Sequence, residues 1–187
     1  MIFLAAALAG LAFGAADQYL GSLRSMLALG PWAVSVSQMS APWLLLPFAF
    51  GCTQNRARRA MLLGLVATVA ALVGYLAMTV SPVENVALRA VPSGAWAWIR
   101  TNLPVIVGGL VTGPVFGLLG QRWRVERWWP SAALVAGAFV LEPLARQVDG
   151  RLLGPAWIWP VEMALGLALA AAFLMAGAAR GRSAGVA

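Results

Sequence analysis

Residues 55–80 read NRARRAMLLGLVATVAALVGYLAMTV, a cluster of three arginines followed by an apolar run without a charged side chain. At 1.5 Å per residue, the run from Ala60 to Val80 is long enough to cross the roughly 30 Å hydrocarbon core of a bilayer as a helix. Positive charge beside such a run is typical of the cytoplasmic end of a membrane span. This stretch therefore predicts a transmembrane helix that begins in the cytoplasm.

The rest of the chain repeats this pattern. Six apolar segments occur, at residues 2–19, 31–52, 60–80, 101–120, 131–148 and 157–179. The chain is 61% apolar and 10% charged, with a mean hydropathy of +0.83, which lies far outside the soluble globular range. We therefore expect an all-α integral membrane protein. Its single domain, residues 1–180, is a bundle of six transmembrane helices, and residues 181–187 form a disordered cytoplasmic tail.

The arginines predict the orientation of this bundle. Clusters follow every second segment: Arg56, Arg58 and Arg59; Arg122, Arg124 and Arg127; Arg180 and Arg182. With the N-terminus inside, the inner side holds eight arginines and one acid, whereas the outer side holds five arginines and five acids. By the positive-inside rule, both termini then lie in the cytoplasm. A chain rich in alanine and arginine and without lysine is typical of high-GC bacteria, so a multi-pass protein of the bacterial cytoplasmic membrane is expected.

One alternative concerns the first segment. Gly14-Ala15-Ala16 could serve as a signal-peptidase site. The segment has no positive n-region and its apolar run is long, which favours a retained helix. Cleavage would leave five crossings with the N-terminus outside.

Composition also excludes several functions. The net charge of +7 lies in short loops rather than on an aromatic-laced surface, so anionic lipid headgroups are the expected partner and nucleic acid is not. There is no histidine, and the single cysteine, Cys52, excludes an internal disulfide and a cysteine cluster. No nucleophile, metal motif or phosphate loop accompanies the carboxylates. No enzyme activity, cofactor or bound metal is predicted.

Polar residues within the segments mark the candidate site. Glu142 and Glu162 lie in the outer halves of the fifth and sixth segments, where charge is costly and usually functional. Other polar or aromatic residues at the same level complete a predicted small-molecule site: Asp17, Gln38, Trp32, Arg100, Asn102 and Tyr75. Two interpretations of the acids remain open. Glu142 can pair with Arg146 at i+4 as a structural contact, or both acids can line an outward-facing cavity.

Small residues recur at helical spacing in three segments. The rows are Ala6, Gly10 and Gly14; Gly109, Gly113 and Gly117; and Ala164, Ala168, Ala172 and Ala176. Such rows let helices approach closely in lipid. They either pack within the bundle or contact a partner membrane protein. The first segment is the best candidate for a partner contact because it is terminal.

Two resemblances bear on function. Pro31-Trp32, Ser40-Ala41-Pro42-Trp43, Gly51 and Gly74-Tyr75 resemble a family of small actinobacterial multi-pass membrane proteins without an established activity. Six helices, a small-residue row on the first segment and a polar outer end are similar to the substrate-binding subunits of energy-coupling-factor transporters. That likeness implies a ligand near the outer face and a transmembrane partner docked on the first helix.

The predicted function follows from these observations. We expect a small-molecule binding or permease subunit with an outward-facing polar cavity, whose ligand the sequence does not identify. The alternative is a non-catalytic membrane scaffold or assembly protein that acts through helix–helix contacts.

Overall fold

The computed structural model describes residues 1–79, 81, 91–150 and 154–184, and the described residues form helices without a strand. The helices are α1 (Ile2–Gly21), α2 (Leu23–Leu29), α3 (Pro31–Ser37), α4 (Ala41–Gly51), α5 (Ala57–Thr79), α6 (Val91–Glu126), α7 (Trp129–Val148) and α8 (Ile158–Ala184). Glu84, Arg89 and Arg151, which entered the charge comparison, lie outside the described residues, as do residues 185–187 of the predicted tail.

Four of these described helices are long and apolar enough to cross a membrane. They are α1, α5, the part of α6 from Asn102 to Glu126, and α8 from Ile158 to Gly177. The bent pair α3 and α4 makes a fifth if it counts as one span. The prediction of an all-helical, membrane-type protein is therefore confirmed. Helix α7 is 20 residues long but is not among these candidates.

The second apolar segment differs from the continuous helix expected at residues 31–52. Helices α3 and α4 meet at 51° across a break at residues 38–40. Pro42 lies in the first turn of α4 and has no N–H to bond the carbonyl four residues earlier, which belongs to Gln38. The helical ladder therefore ends at this point, and the Gln38 carbonyl needs another donor.

Glycines bring the long helices into backbone contact. A Cβ atom at Gly14 of α1 would overlap the carbonyl of Ala71 in α5, and one at Gly10 would overlap that of Ala67. Helices α5 and α6 approach in the same way, because a Cβ at Gly64 would overlap the carbonyl of Gly113. These close approaches are the van der Waals packing that holds helices together in lipid.

The rows predicted from spacing thus have different surroundings. Ala6, Gly10 and Gly14 are buried in the chain's own contact with α5. Gly109, Gly113 and Gly117 likewise face α5 and its neighbours: their nearest contacts include Leu72, Thr68, Gly64 and Ala60. The alanines at 164, 168, 172 and 176 of α8 are exposed. Any partner on α1 would have to contact its other face, which carries Leu4 and Leu8.

One end of the bundle gathers arginines. Arg124 of α6 donates to the carbonyl of Cys52 at 2.9 Å, and Gln121 donates to the carbonyl of Asn55 at 3.3 Å. These bonds join the α4–α5 connection to the end of α6. The arginine clusters at 56–59 and 122–127 therefore lie at the same end of the bundle. A core cluster of Phe48, Leu119, Trp123, Ala132 and Val135 lies next to it.

Candidate functional site

A cavity of about 410 Å³ opens between four parts of the bundle: the end of α1, the break between α3 and α4, the second half of α5, and α6. Its volume lies within the range of roughly 300–1,000 Å³ that is usual for small-molecule sites. The lining residues are Asp17, Ser37, Gln38, Met39, Ser40, Trp43, Leu44, Thr68, Leu72, Tyr75, Asn102, Val105, Gly108, Gly109 and Thr112. Polar groups from all four parts therefore meet around one space.

Four residues predicted from the sequence as ligand-binding line this cavity: Asp17, Gln38, Tyr75 and Asn102. They come from four different elements and are separated by up to 85 positions in the chain. The other four predicted residues do not line it: Trp32, Arg100, Glu142 and Glu162. Trp32 is half-buried and Arg100 is exposed. The structure thus divides the predicted site into two groups.

The glycine contacts explain why Asp17 and Tyr75 meet. Gly14 touches Ala71 across the α1–α5 contact. Asp17 follows Gly14 by three residues and Tyr75 follows Ala71 by four, so each lies about one helical turn beyond the contact. The two side chains therefore extend to the same level of the bundle. On α6, Gly108 has open space where a side chain would be, and this space belongs to the cavity.

Aromatic rings form one wall of the cavity. Trp43 and Tyr75, which both line it, meet edge to face with centroids 6.2 Å apart. Trp43 also contacts Phe13 edge to face at 5.3 Å, and its side chain hydrogen-bonds to Asp17. Because indole nitrogen is only a donor, the carboxylate of Asp17 accepts this bond. Trp43 thereby fixes the position of the carboxylate in the cavity.

Thr68 lies at the edge of the cavity. Its side chain is 3% exposed and lines the cavity, and its Oγ1 atom has no hydrogen-bond partner among the described residues. The hydroxyl faces Gly113 of α6, whereas the methyl group faces Gly109, which lines the cavity. Thr68 is therefore part of the α5–α6 contact beside the cavity.

The cavity lies away from the arginine end. Helix α5 begins beside Arg58 and Arg59, and Thr68 comes nine residues after Arg59, or roughly 14 Å along the helix. Tyr75 lies roughly 24 Å along it. The cavity therefore extends from mid-bundle toward the end opposite to these arginines.

Glu142 has a different role, because it closes the break between α3 and α4. Its carboxylate accepts from the backbone N–H of Ser40 at 2.7 and 2.9 Å and from that of Ala41 at 2.8 Å. These N–H groups belong to the N-terminus of α4, where the helix dipole favours negative charge. Of the two interpretations left open by the sequence, these bonds fit the structural one.

Arg146 completes this closure. It pairs with Glu142 at 2.6 Å and donates to the carbonyl of Gln38, the acceptor that Pro42 leaves without an N–H. Its guanidinium also lies 5.7 Å from the centre of the Trp159 ring. One ion pair on α7 thus places a negative charge at the start of α4 and a positive charge at the end of α3. We call Glu142 and Arg146 the α7 clamp.

Glu162 lies beside the α7 clamp. It is completely buried, and its carboxyl group is close enough to that of Glu142 for a side-chain hydrogen bond between them. Arg146 also acts on Glu162 electrostatically. A second, smaller cavity of about 350 Å³ lies along the clamp and is lined by Glu142, Arg146 and Asp149 among others, but not by Glu162.

Sequence reasoning missed Trp43, Thr68 and Thr112. Trp43 carried a signal, because it is the tryptophan that lies well inside a segment while the others fall near segment ends. The threonines carried none, since isolated threonines are ordinary in apolar helices. Among the described residues there is no group of three or more His, Cys, Asp or Glu side chains that could hold a metal ion.

Comparison with known proteins adds no relative to this picture. No protein-family model matches the chain, and no curated protein or solved structure matches it significantly. The candidate function therefore rests on the residues and their geometry.

Proposed function

We propose that this chain is a small-molecule binding or permease subunit of the bacterial cytoplasmic membrane. It crosses the membrane six times, with both termini in the cytoplasm, and its cavity opens to the outside. In this arrangement α7 is the fifth crossing, and the bent pair α3 and α4 is the second. The likeness to the substrate-binding subunits of energy-coupling-factor transporters, which rests on architecture, belongs to the same proposal.

The observation that carries the proposal is the meeting of Asp17, Gln38, Tyr75 and Asn102, which are far apart in the sequence, around one cavity. Polar groups within membrane segments are expensive, so their concentration around one space supports a ligand site. The break at residues 38–40 supports it further. Discontinuous helices that expose backbone to a cavity recur at the binding sites of membrane transporters.

The test is a ligand screen on the purified full chain by thermal shift, with a panel of charged and neutral metabolites. A binding subunit gains thermal stability with at least one compound, and that gain is lost in Asp17→Asn or Asn102→Ala. Asp149→Asn serves as the matched control, because Asp149 is exposed and lies outside this cavity. The proposal fails if no compound shifts the parent, or if the cavity variants respond like the parent.

A second candidate function is favoured by α8. Its alanines at 164, 168, 172 and 176 form an exposed small-residue row, the kind of surface on which membrane helices associate. In a non-catalytic scaffold, this row would hold a partner helix. Ala168→Leu would then displace a specific co-purifying membrane protein, while Asp17→Asn would leave it bound. The reverse pattern would favour the binding subunit.

A further inference from the structure

The charge of the large cavity indicates a ligand class. Among the described residues that line it, Asp17 is the only one with a carboxyl group, and none carries a basic side chain. The described hydrogen-bond partner of Asp17 is the neutral indole of Trp43. The cavity therefore presents an acidic group that no described lining residue compensates, in a protein whose formal net charge is +7. An anionic ligand would meet repulsion without a basic partner, whereas a cation would supply the missing charge.

The aromatic wall narrows the class to organic cations. Trp43 and Tyr75 both line the cavity beside Asp17. Tryptophan and tyrosine rings attract ammonium groups, and an aromatic wall with a nearby carboxylate is a recurrent way of recognising them. A hard metal ion needs several oxygen ligands close together. One carboxylate in a cavity of about 410 Å³ does not form such a shell.

Other lining residues indicate a polar substituent on the same ligand. Gln38 and Asn102, which have amide side chains, line the cavity, as do the apolar residues Leu72 and Val105. A compound with an ammonium group and a hydroxyl or carbonyl group would suit both the aromatic and the amide residues.

We infer that the cavity binds a small organic cation, an amine or quaternary ammonium compound with a hydroxyl or carbonyl substituent. The ammonium group pairs with Asp17 against Trp43 and Tyr75, and the substituent bonds the amide side chains of Gln38 and Asn102. This inference rests on the proposed function and specifies its ligand class.

The test uses the full chain purified in detergent and titrated calorimetrically with choline, ethanolamine, tetramethylammonium and betaine. The uncharged probe is 3,3-dimethylbutan-1-ol, which has the shape of choline without its charge. We expect at least one cation to bind saturably and the uncharged probe to bind about 10-fold more weakly or not at all. If the uncharged probe binds as tightly as choline, or if none of the cations binds, the inference is overturned.

Variants locate the binding. Asp17→Asn should weaken cation binding about 10-fold or more, and Asp149→Asn should leave it unchanged. Trp43→Phe keeps a ring and should weaken binding less than Trp43→Leu. Equal effects of the two Trp43 variants would contradict a role for the aromatic face. Thermal unfolding of each variant without ligand distinguishes weakened binding from loss of the fold.

The wider metabolite screen separates the two proposals. If a neutral or anionic compound binds in an Asn102-dependent way and no cation does, the binding function stands and the cation class is wrong. If no compound of any class binds, both proposals fail.

Discussion

At the scale of single residues, the two membrane carboxylates Glu142 and Glu162 have opposite surroundings. Glu142 accepts three hydrogen bonds from the start of α4 and pairs with Arg146. Glu162 is more deeply buried, and its carboxyl group lies beside another acid, Glu142. Similar positions in consecutive segments therefore do not imply similar roles. Glu142 has charge-assisted bonds that offset the cost of its burial, whereas Glu162 adds a second acid to the same place.

This contrast predicts different responses to the same substitution. Glu142→Gln removes the ion pair and weakens the charge-assisted bonds to Ser40 and Ala41, so we expect a loss of about 2 kcal/mol in the free energy of unfolding. Glu162→Gln replaces one of two adjacent acids by a neutral group of nearly the same shape and should leave stability equal or raise it. Thermal unfolding of both purified variants measures this difference. Equal losses would contradict the assignment of the clamp to Glu142.

Cys52 allows a second prediction at this scale. Burial raises the pKa of its thiol from 9.0 to about 11, against the opposing effects of Arg127 and Arg124. Because only the thiolate is nucleophilic, a rise of about two pKa units lowers the reactive fraction at neutral pH about 100-fold. Iodoacetamide should therefore modify Cys52 slowly at neutral pH and progressively faster as the pH rises toward 11. Mass spectrometry follows the reaction, with unfolded protein as the reference; equal rates in both states would contradict the prediction.

At the scale of helices, the glycine contacts set the level at which polar side chains meet. Helix α1 lies against α5 through Gly10 and Gly14, and α5 lies against α6 through Gly64 and Gly113. Each contact brings backbone against backbone, which fixes the position of one helix along the other. The polar residues of each helix are thereby held at the level of the cavity. Spacing alone made the row on α1 a possible contact for a partner protein. In the structure, this row packs against α5 of the same chain.

Gly14→Ala tests this arrangement. The added Cβ would overlap the backbone of Ala71, so α1 and α5 must separate, at a cost of about 1–3 kcal/mol. Gly137 of α7 is the matched control, because a Cβ there meets no atom within 4 Å. Gly137→Ala should be neutral or stabilise the helix by up to about 1 kcal/mol. Thermal unfolding of the two variants measures the difference, and a stable Gly14→Ala protein would contradict close α1–α5 contact.

At the scale of the whole molecule, two of the arginine clusters and the cavity lie toward opposite ends of the bundle. The arginine clusters at 56–59 and 122–127 lie where the end of α6 contacts the α4–α5 connection. The cavity extends toward the other end. If the positive-inside rule orients this bundle, the cavity faces the outside. The exposed leucines of α1 and α8 would then face lipid.

Reporter fusions test this orientation. With both termini in the cytoplasm, green fluorescent protein fused after Ala187 should fluoresce, and alkaline phosphatase at the same position should be inactive. Alkaline phosphatase inserted after Gly150, between α7 and α8, should be active. An active phosphatase at the C-terminus would contradict six crossings with the N-terminus inside.

The sequence by itself determined the class of protein and the number of apolar segments. Helix-length apolar runs flanked by arginines indicate a bundle of membrane helices. In lipid, the backbone N–H and C=O groups must hydrogen-bond within each segment, which a helix achieves. Spacing also located α1, α5 and α7 to within three residues at each end, whereas α8 continues to Ala184, five residues beyond the predicted end. It did not locate the break at residues 38–40, since Pro42 near the start of a segment is equally compatible with a continuous, kinked helix.

Only the tertiary structure decided which polar residues act together. Asp17, Thr68 and Asn102 meet because glycines on three helices let the backbones approach, and the depth of each approach is a property of packing that spacing does not reveal. Glu142, at a similar predicted depth, turns instead to the unpaired N–H groups of α4. The sequence supplied the polar groups, and packing divided them between a structural clamp and a cavity.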